Sequence, residues 1–340
     1  MTRAAIYKGD HTFVVEDVQP ATPGPGDVSI EVAYCGICGT DMHVFHGNMD
    51  ARVGHSRIIG HEMSGRIKAI GAGVDGFALG EPVVVRPLVH CGECPACKAG
   101  HSHICHRLKF LGLDRDGAMQ GVWSVPAYTV HHLPEGISLK HAALIEPLAV
   151  ACHDVRRARL QGDEHVLVIG GGPIGALIGI LASKAAADVA VVEINPARRA
   201  KLAQFGLNAI DPAQTDVVKT FQDQWGGANV VFEVSGSDAG AALMTAVAAT
   251  RGRLIMVGIN TRKPPVDLFQ FFWRELELFG ARVYEPEDYE RAIRLVADKA
   301  FDFDRFITDV VDLAQIQSAF TKMDQSPDAM KLMVRIGAAE

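Results

Sequence analysis

The polarity pattern changes character along the chain. In the first part, short apolar stretches such as Val28-Ser29-Ile30-Glu31-Val32 and Pro82-Val83-Val84-Val85 stand between turn signals such as Pro23-Gly24-Pro25-Gly26. That texture predicts a β-rich, loop-rich region. From about residue 146 apolar strands alternate with helices. Glu146–Leu160 reads as a connecting helix, followed by the strand Val166–Ile169, a glycine turn, a helix through Ala186 and the strand Val189–Val192. Asn195 can cap the next helix, with Pro196 at its first position, where a missing N–H costs nothing. Further strands are predicted at Val230–Val234, Leu254–Val257 and Leu276–Phe279. Continuous apolar strands alternating with helices imply a parallel sheet covered on both faces, an α/β class. The tail from about residue 288 is amphipathic and is expected to pack back on the first region.

Composition narrows the function classes. With 340 residues, 48% of them hydrophobic and 21% charged, the chain can bury two cores and is not of disordered type. A net charge of −7 with no long basic run gives no nucleic-acid footprint. The N-terminus lacks the apolar stretch of a signal peptide, and no apolar run reaches the roughly 18 residues of a membrane span. A cytoplasmic, soluble protein acting on a small molecule is expected, without nucleic-acid or membrane partners.

Seven cysteines, an odd number, argue against a disulfide framework. Four of them, Cys91, Cys94, Cys97 and Cys105, follow the spacing C-x2-C-x2-C-x7-C. Two short turns and one longer return can close a tetrahedron of thiolates, the pattern of a structural zinc site. A ferredoxin cluster would use a three-residue last gap followed by proline, whereas here the gap is seven and His106 follows. His101, His103 and His106 read as solvated loop residues. Upstream, Cys35-Gly36-Ile37-Cys38-Gly39-Thr40-Asp41-Met42-His43 precedes Gly60-His61-Glu62. One thiolate, one imidazole and one or two carboxylates can hold zinc and leave a position open for substrate.

Taken in order, the Cys38 segment, Gly60-His61-Glu62, the cysteine lobe, Glu146-Pro147-Leu148-Ala149-Val150 and the glycine turn closely resemble the zinc-dependent medium-chain dehydrogenase/reductase family. The resemblance spans nearly the whole chain. It implies a GroES-like catalytic domain over 1–150 carrying the zinc lobe, a Rossmann domain over 151–287, and a return to the catalytic domain over 288–340. It also implies two zinc ions per chain. Cys38 and His61 would be catalytic zinc ligands, Glu62 the third, and Glu146 a ligand directly or through water. Thr40 would take the proton of the substrate hydroxyl, with His43 passing it toward solvent. Cys35 and Cys152 read as core residues. One stretch departs from the family: many members have Gly-Gly-Phe-Ala-Glu-Tyr where this chain has Gly117-Ala118-Met119-Gln120-Gly121-Val122-Trp123-Ser124.

Gly170-Gly171-Gly172-Pro173-Ile174-Gly175 matches G-x-G-x-x-G between a predicted strand and helix, the context of a dinucleotide fingerprint. Gly170 makes the turn, Gly172 admits the pyrophosphate, and Gly175 lets helix and strand pack, with Pro173 and Ile174 opening the helix. Glu193 ends the second strand, where a carboxylate accepts from ribose hydroxyls and repels a 2′-phosphate, favouring NAD over NADP. Arg198 is a nearby cation that would partly tolerate that phosphate. By resemblance Val257, Gly258, Ile259 and Arg282 line the nicotinamide end.

The resulting expectation is a zinc enzyme transferring a hydride from a secondary alcohol (a polyol, vicinal diol or sugar acid) to NAD. An L-threonine 3-dehydrogenase is the alternative within the class. A zinc-stabilised nucleotide-binding protein without turnover is the alternative outside it. A zinc-free quinone reductase has no need of the cysteine lobe. Relatives are mostly dimers or tetramers, and a homotetramer is favoured.

Overall fold

The computed structural model describes residues 1–186, 188–260, 263–264, 266–326 and 329–337. Its contacts divide the chain into two units, Met1–Glu146 with Tyr289–Glu340, and Pro147–Asp288. The domain bound that the resemblance implies at residue 150 and the division of the units after Glu146 both fall inside one uninterrupted helix, Ile145–Ala158, so no turn signal marks either.

The first unit is built on a seven-stranded, mostly antiparallel sheet. Its strands include β1 (Asp27–Gly36), β2 (Glu62–Ile70), β3 (Pro82–Val85), β4 (Val122–Pro126) and β5 (Val130–His132). β3 lies between β2 and β5, and β2 pairs with β1. Beyond β1 come two strands of the tail, Lys331–Arg335 and then Ile307–Asp312, so the C-terminal segment completes this sheet. Val28, Ile30, Met63, Ile67, Val83, Val85, Trp123, Leu332 and Val334 share one core. The departing segment joins it as well: Ala118 and Met119 are fully buried, and the backbone amide of Ala5 donates to Met119 O (2.9 Å).

The second unit is a six-stranded parallel sheet of β6 (His165–Ile169), β7 (Asp188–Val192), β8 (Asn208–Ile210), β9 (Ala228–Glu233), β10 (Ala248–Met256) and β11 (Glu277–Gly280). Their spatial order is β8-β7-β6-β9-β10-β11, the doubly wound order in which ligands sit beyond the carboxyl ends of the strands. Leu167, Ile169, Ala190, Val192, Val231 and Leu254 bury one face, and Val166, Val168, Val191, Val230 and Phe232 are buried on the other, which is why these strands read as unbroken apolar runs. β10 begins six residues before the predicted Leu254, because Ala248 already pairs with Ala228 ahead of a register shift. No helix among the described residues is long and apolar enough to cross a membrane.

Candidate metal centres and cofactor site

The four lobe sulfurs converge. Cys91–Cys97 are 4.0 Å apart, Cys94–Cys97 3.5 Å, Cys94–Cys105 3.8 Å and Cys91–Cys105 3.4 Å. Four sulfurs placed about 2.3 Å from one zinc stand about 3.8 Å from each other, so the set fits a tetrahedral ion. Backbone amides of Cys94, Cys91, His106 and Arg107 point at the sulfurs over 3.3–3.5 Å. Amide hydrogen bonds, Glu93 foremost, pull the Cys91 thiol down to about 6, toward the thiolate that binds metal. Among the neighbouring histidines, His101 and His106 are exposed as expected. His103 is a correction: it is buried, packed in the short turn Ser102–Ile104 rather than solvated.

The second centre is assembled from distant segments. Donor atoms of Cys38, His61 and Glu62 all lie within 4.8 Å of one another. Cys38 caps the helix α1 (Gly39–Phe45), and Asp41 in its first turn reaches back to accept from the Cys38 amide (2.9 Å). The other Asp41 oxygen lies 3.6 Å from His61 Nδ1, the outer-sphere arrangement that orients a metal-binding imidazole. Burial pushes His61 down, but Asp41, Cys38 and Glu146 together carry it well above its ordinary value. A cation is therefore strongly favoured at this spot. Glu146, in the first turn of Ile145–Ala158, is buried and its charge reaches His61.

Sequence reasoning missed one member of this centre. Lys331 is 2% exposed, and its ammonium donates to both oxygens of Glu62 (2.7 and 2.6 Å) and to Ile37 O (3.2 Å). Burial pulls this amine down, but Glu62 and Cys38 outweigh it and hold it charged. Each Glu62 oxygen keeps a second lone pair, so the pairing leaves it able to face a metal. The available signal was a lone lysine opening the apolar run Leu332-Met333-Val334.

Thr40 is half-buried at the second position of α1, and His43 is exposed one turn on, so both flank Cys38 on one short helix. Phe110 stands edge-on to the His61 ring at 5.1 Å and narrows the approach to the centre. Phe45 is buried in the core, with its ring beside those of Phe13 and Phe320. Cys35 is buried with its sulfur against Gly60, and Cys152 is also buried.

In the second unit the glycine turn lies between β6 and the helix Pro173–Ala182. A side chain at Gly175 would fall 1.9 Å from Gly170 O, so only glycine allows this helix to approach its strand. At Gly172 an added Cβ would meet only Arg198 at 3.9 Å, which leaves the open approach a pyrophosphate needs. Gly172 caps the helix without a side-chain hydrogen bond, so its first amides remain available to an anion. Glu193 is fixed by the amides of Gly171 (2.9 Å) and Asn195 (2.7 Å), beside the turn. Arg198 lies 3.9 Å from Glu193, while Arg199 is committed to Glu193 O, Ile194 O and Asp211. Val257 and Gly258 donate to Glu233 O at the carboxyl end of β9, and Ile259 and Arg282 are exposed beyond the strand ends. The turn, Glu193 and Arg198 are thus brought together, and Arg282 follows the end of β11.

Comparison with known proteins agrees with this geometry. Residues 24–135 match the family described as alcohol dehydrogenase GroES-like domain, and residues 173–298 the family described as zinc-binding dehydrogenase. A 2-dehydro-3-deoxy-L-galactonate 5-dehydrogenase of Pseudoalteromonas atlantica is 50% identical over 340 residues, 99% of each chain. An L-galactonate-5-dehydrogenase of Escherichia coli is 32% identical over 304 residues, 88% of each chain. The solved structure of a zinc-binding dehydrogenase from Sinorhizobium meliloti, bound to NADP, has a TM-score of 0.91 at 29% identity, over 98% of this chain and 99% of that one.

Proposed function

We propose a substrate class and a division of labour for this chain, which belongs to the zinc-dependent medium-chain alcohol dehydrogenase family and oxidises a secondary alcohol with a nicotinamide cofactor. The substrate is a sugar acid, whose secondary alcohol becomes a ketone. The observation that carries the reaction is the convergence of Cys38, His61 and Glu62. The substrate class is supported by the similarity to two relatives named as dehydrogenases of galactonate-type acids.

Two metal ions per chain are part of this reading. One is held by Cys91, Cys94, Cys97 and Cys105, the other by Cys38 and His61 with Glu62 or Glu146 as the carboxylate ligand. Zinc in the second site supplies Lewis acidity, which lowers the pKa of an alcohol hydroxyl toward neutrality. Thr40 accepts the hydroxyl proton and His43, which is exposed, hands it to solvent. Glu193 holds the adenosine ribose, so NAD is preferred to NADP, with Arg198 softening the preference. Val257, Gly258, Ile259 and Arg282 face the nicotinamide end.

The enzyme assembles with copies of itself as a tetramer. Leu268, Phe269, Phe272 and Trp273 are 61–78% exposed on the helix Leu268–Arg274, next in the chain to the edge strand β11, an apolar surface of the kind that subunits cover. Seven cysteines with no disulfide among them, four of them aimed at one metal position, support a reducing cytoplasmic setting.

The test is NADH formation by zinc-replete enzyme across aldonates, deoxy-keto-aldonates, polyols, butanediols and L-threonine, repeated with NADP. Turnover of the acids with NAD is the expected result. Exclusive turnover of threonine or of uncharged diols would displace the sugar-acid reading. Metal analysis giving one zinc per chain in active protein would displace the two-ion assignment.

A further inference from the structure

Arg86 directly follows β3 and is 5% exposed. Its Nε and Nη1 are buried without a hydrogen-bond partner, and among the described residues no carboxylate pairs with it. A guanidinium cannot shed its proton, so burial without a counter-ion leaves an uncompensated charge that folded proteins seldom keep. His90 Nδ1 and His131 Nε2 are among the other buried nitrogens of this unit that lack partners.

Strand pairing gathers these groups. The Arg86 amide donates to Thr129 O (2.7 Å), and Val85 stands opposite Val130 and Val84 opposite His131. The His131 ring lies 4.9 Å from that of Tyr289, whose hydroxyl donates to Val85 O (2.7 Å). His131 is already engaged on its other nitrogen, where Nδ1 donates to Glu290 Oε1 (2.6 Å). A fixed cation without a counter-ion suits an anionic ligand and would repel a metal.

The position of Arg86 relates it to the metal centre. β2 pairs with β3 with Ser64 opposite Val84. Carried two residues further, that register sets Arg86 opposite Glu62, on the same face of the sheet. Tyr289 lies within the influence of Arg86, Glu146 and Glu62 at once.

We propose that Arg86 binds the carboxylate of a hydroxy-acid substrate whose alcohol carbon is presented to the Cys38–His61–Glu62 donors. The assignment rests on the sugar-acid reading above and gives it a residue. A single guanidinium matches a monoanion, whereas a phosphate dianion calls for more positive charge. An alditol of the same stereochemistry leaves the subsite without a counter-ion.

The experiment compares an aldonate, its alditol and its alditol phosphate as substrates of the wild type, Arg86→Gln and Arg86→Lys. It also records the rise in Tm that each compound induces. The wild type is expected to favour the aldonate. Arg86→Gln should lower the aldonate-to-alditol ratio of kcat/KM by about 10- to 100-fold, mainly through KM, the size of a charge-assisted hydrogen bond. Arg86→Lys should retain part of that ratio. A ratio unchanged in Arg86→Gln overturns the proposal. So does a preference for the phosphate that disappears in the variant, because the subsite would then take another anion. If Arg86→Gln does not fold, Arg86→Lys decides by the same ratio. If the wild type oxidises none of the three, the sugar-acid reading fails. Arg86 is then judged separately: a Tm rise given by aldonate and not by alditol supports it, and equal rises overturn it.

Discussion

The four-cysteine lobe draws all its ligands from the stretch Cys91–Cys105, whereas the Cys38–His61–Glu62 centre needs partners from as far away as Lys331. In the lobe, backbone amides supply the surrounding hydrogen bonds, and the sulfurs have little else to bind. In the other centre every ligand is also engaged by a neighbour: Cys38 through its helix cap, His61 by Asp41, and Glu62 by Lys331. A closed site of local thiolates stabilises a loop. An open site with competing partners keeps a ligand adjustable, which is the property a reaction requires.

Breaking each site should separate these two roles. The largest effect is expected for Cys105→Ser in the lobe. One zinc per chain should be lost and Tm should fall by about 10 °C or more, since metal binding at such a site is folding free energy. His61→Ala should also leave one zinc per chain, but with Tm changed by no more than a few degrees and kcat/KM reduced by about 1,000-fold or more. A His61→Ala protein as unstable as Cys105→Ser would erase the distinction. Both are checked by metal analysis beside thermal unfolding.

Lys331→Met tests how tightly the open site is held. It leaves the Glu62 carboxylate buried and unpaired, so a loss of about 3–5 kcal/mol in denaturant unfolding is expected, with Lys331→Arg recovering most of it. A weaker effect is expected for Asp41→Asn, about 10- to 100-fold in zinc affinity with little change in fold. Competition with a chelator measures it.

The smallest effect concerns an acid that, unlike Glu62, has no partner among the described residues. Asp154 is 1% exposed with neither oxygen hydrogen-bonded, and burial, reinforced by Asp288, pushes its pKa well above the ordinary value. The unfolded chain releases this proton near pH 4 while the folded one retains it. Stability from this group is thus complete below about pH 4 and is lost as pH rises toward the folded pKa. Asp154→Asn should therefore match the wild type at pH 4 and exceed it in Tm by a few degrees at pH 8. Equal Tm values at pH 8 would mean that Asp154 is not held protonated.

Much of this was legible because it is local. The C-x2-C-x2-C-x7-C spacing, the cap Asn195 with Pro196, and the glycine turn between strand and helix are each set within one stretch of chain. The unbroken apolar runs of the second unit announced a sheet buried on both faces, and five of its strands appear within a few residues of their predicted positions, apart from the early start of β10, while the short edge strand β8 was not predicted. The first unit was harder to read. Its short strands alternate unevenly, and its sheet is completed by tail residues hundreds of positions away.

The chain's own order of residues determined which atoms could bind metal, where the dinucleotide turn lies and that a carboxylate follows the second strand, since each depends on spacing along the backbone. Only tertiary structure decided that Lys331 reaches Glu62, that Phe45 is core while Phe110 meets His61, and that Arg86 is left without a counter-ion among the described residues. The reason is physical. The cost of burying a charge, and the partner that offsets it, depend on which segments the sheet brings side by side, and no sequence interval records that.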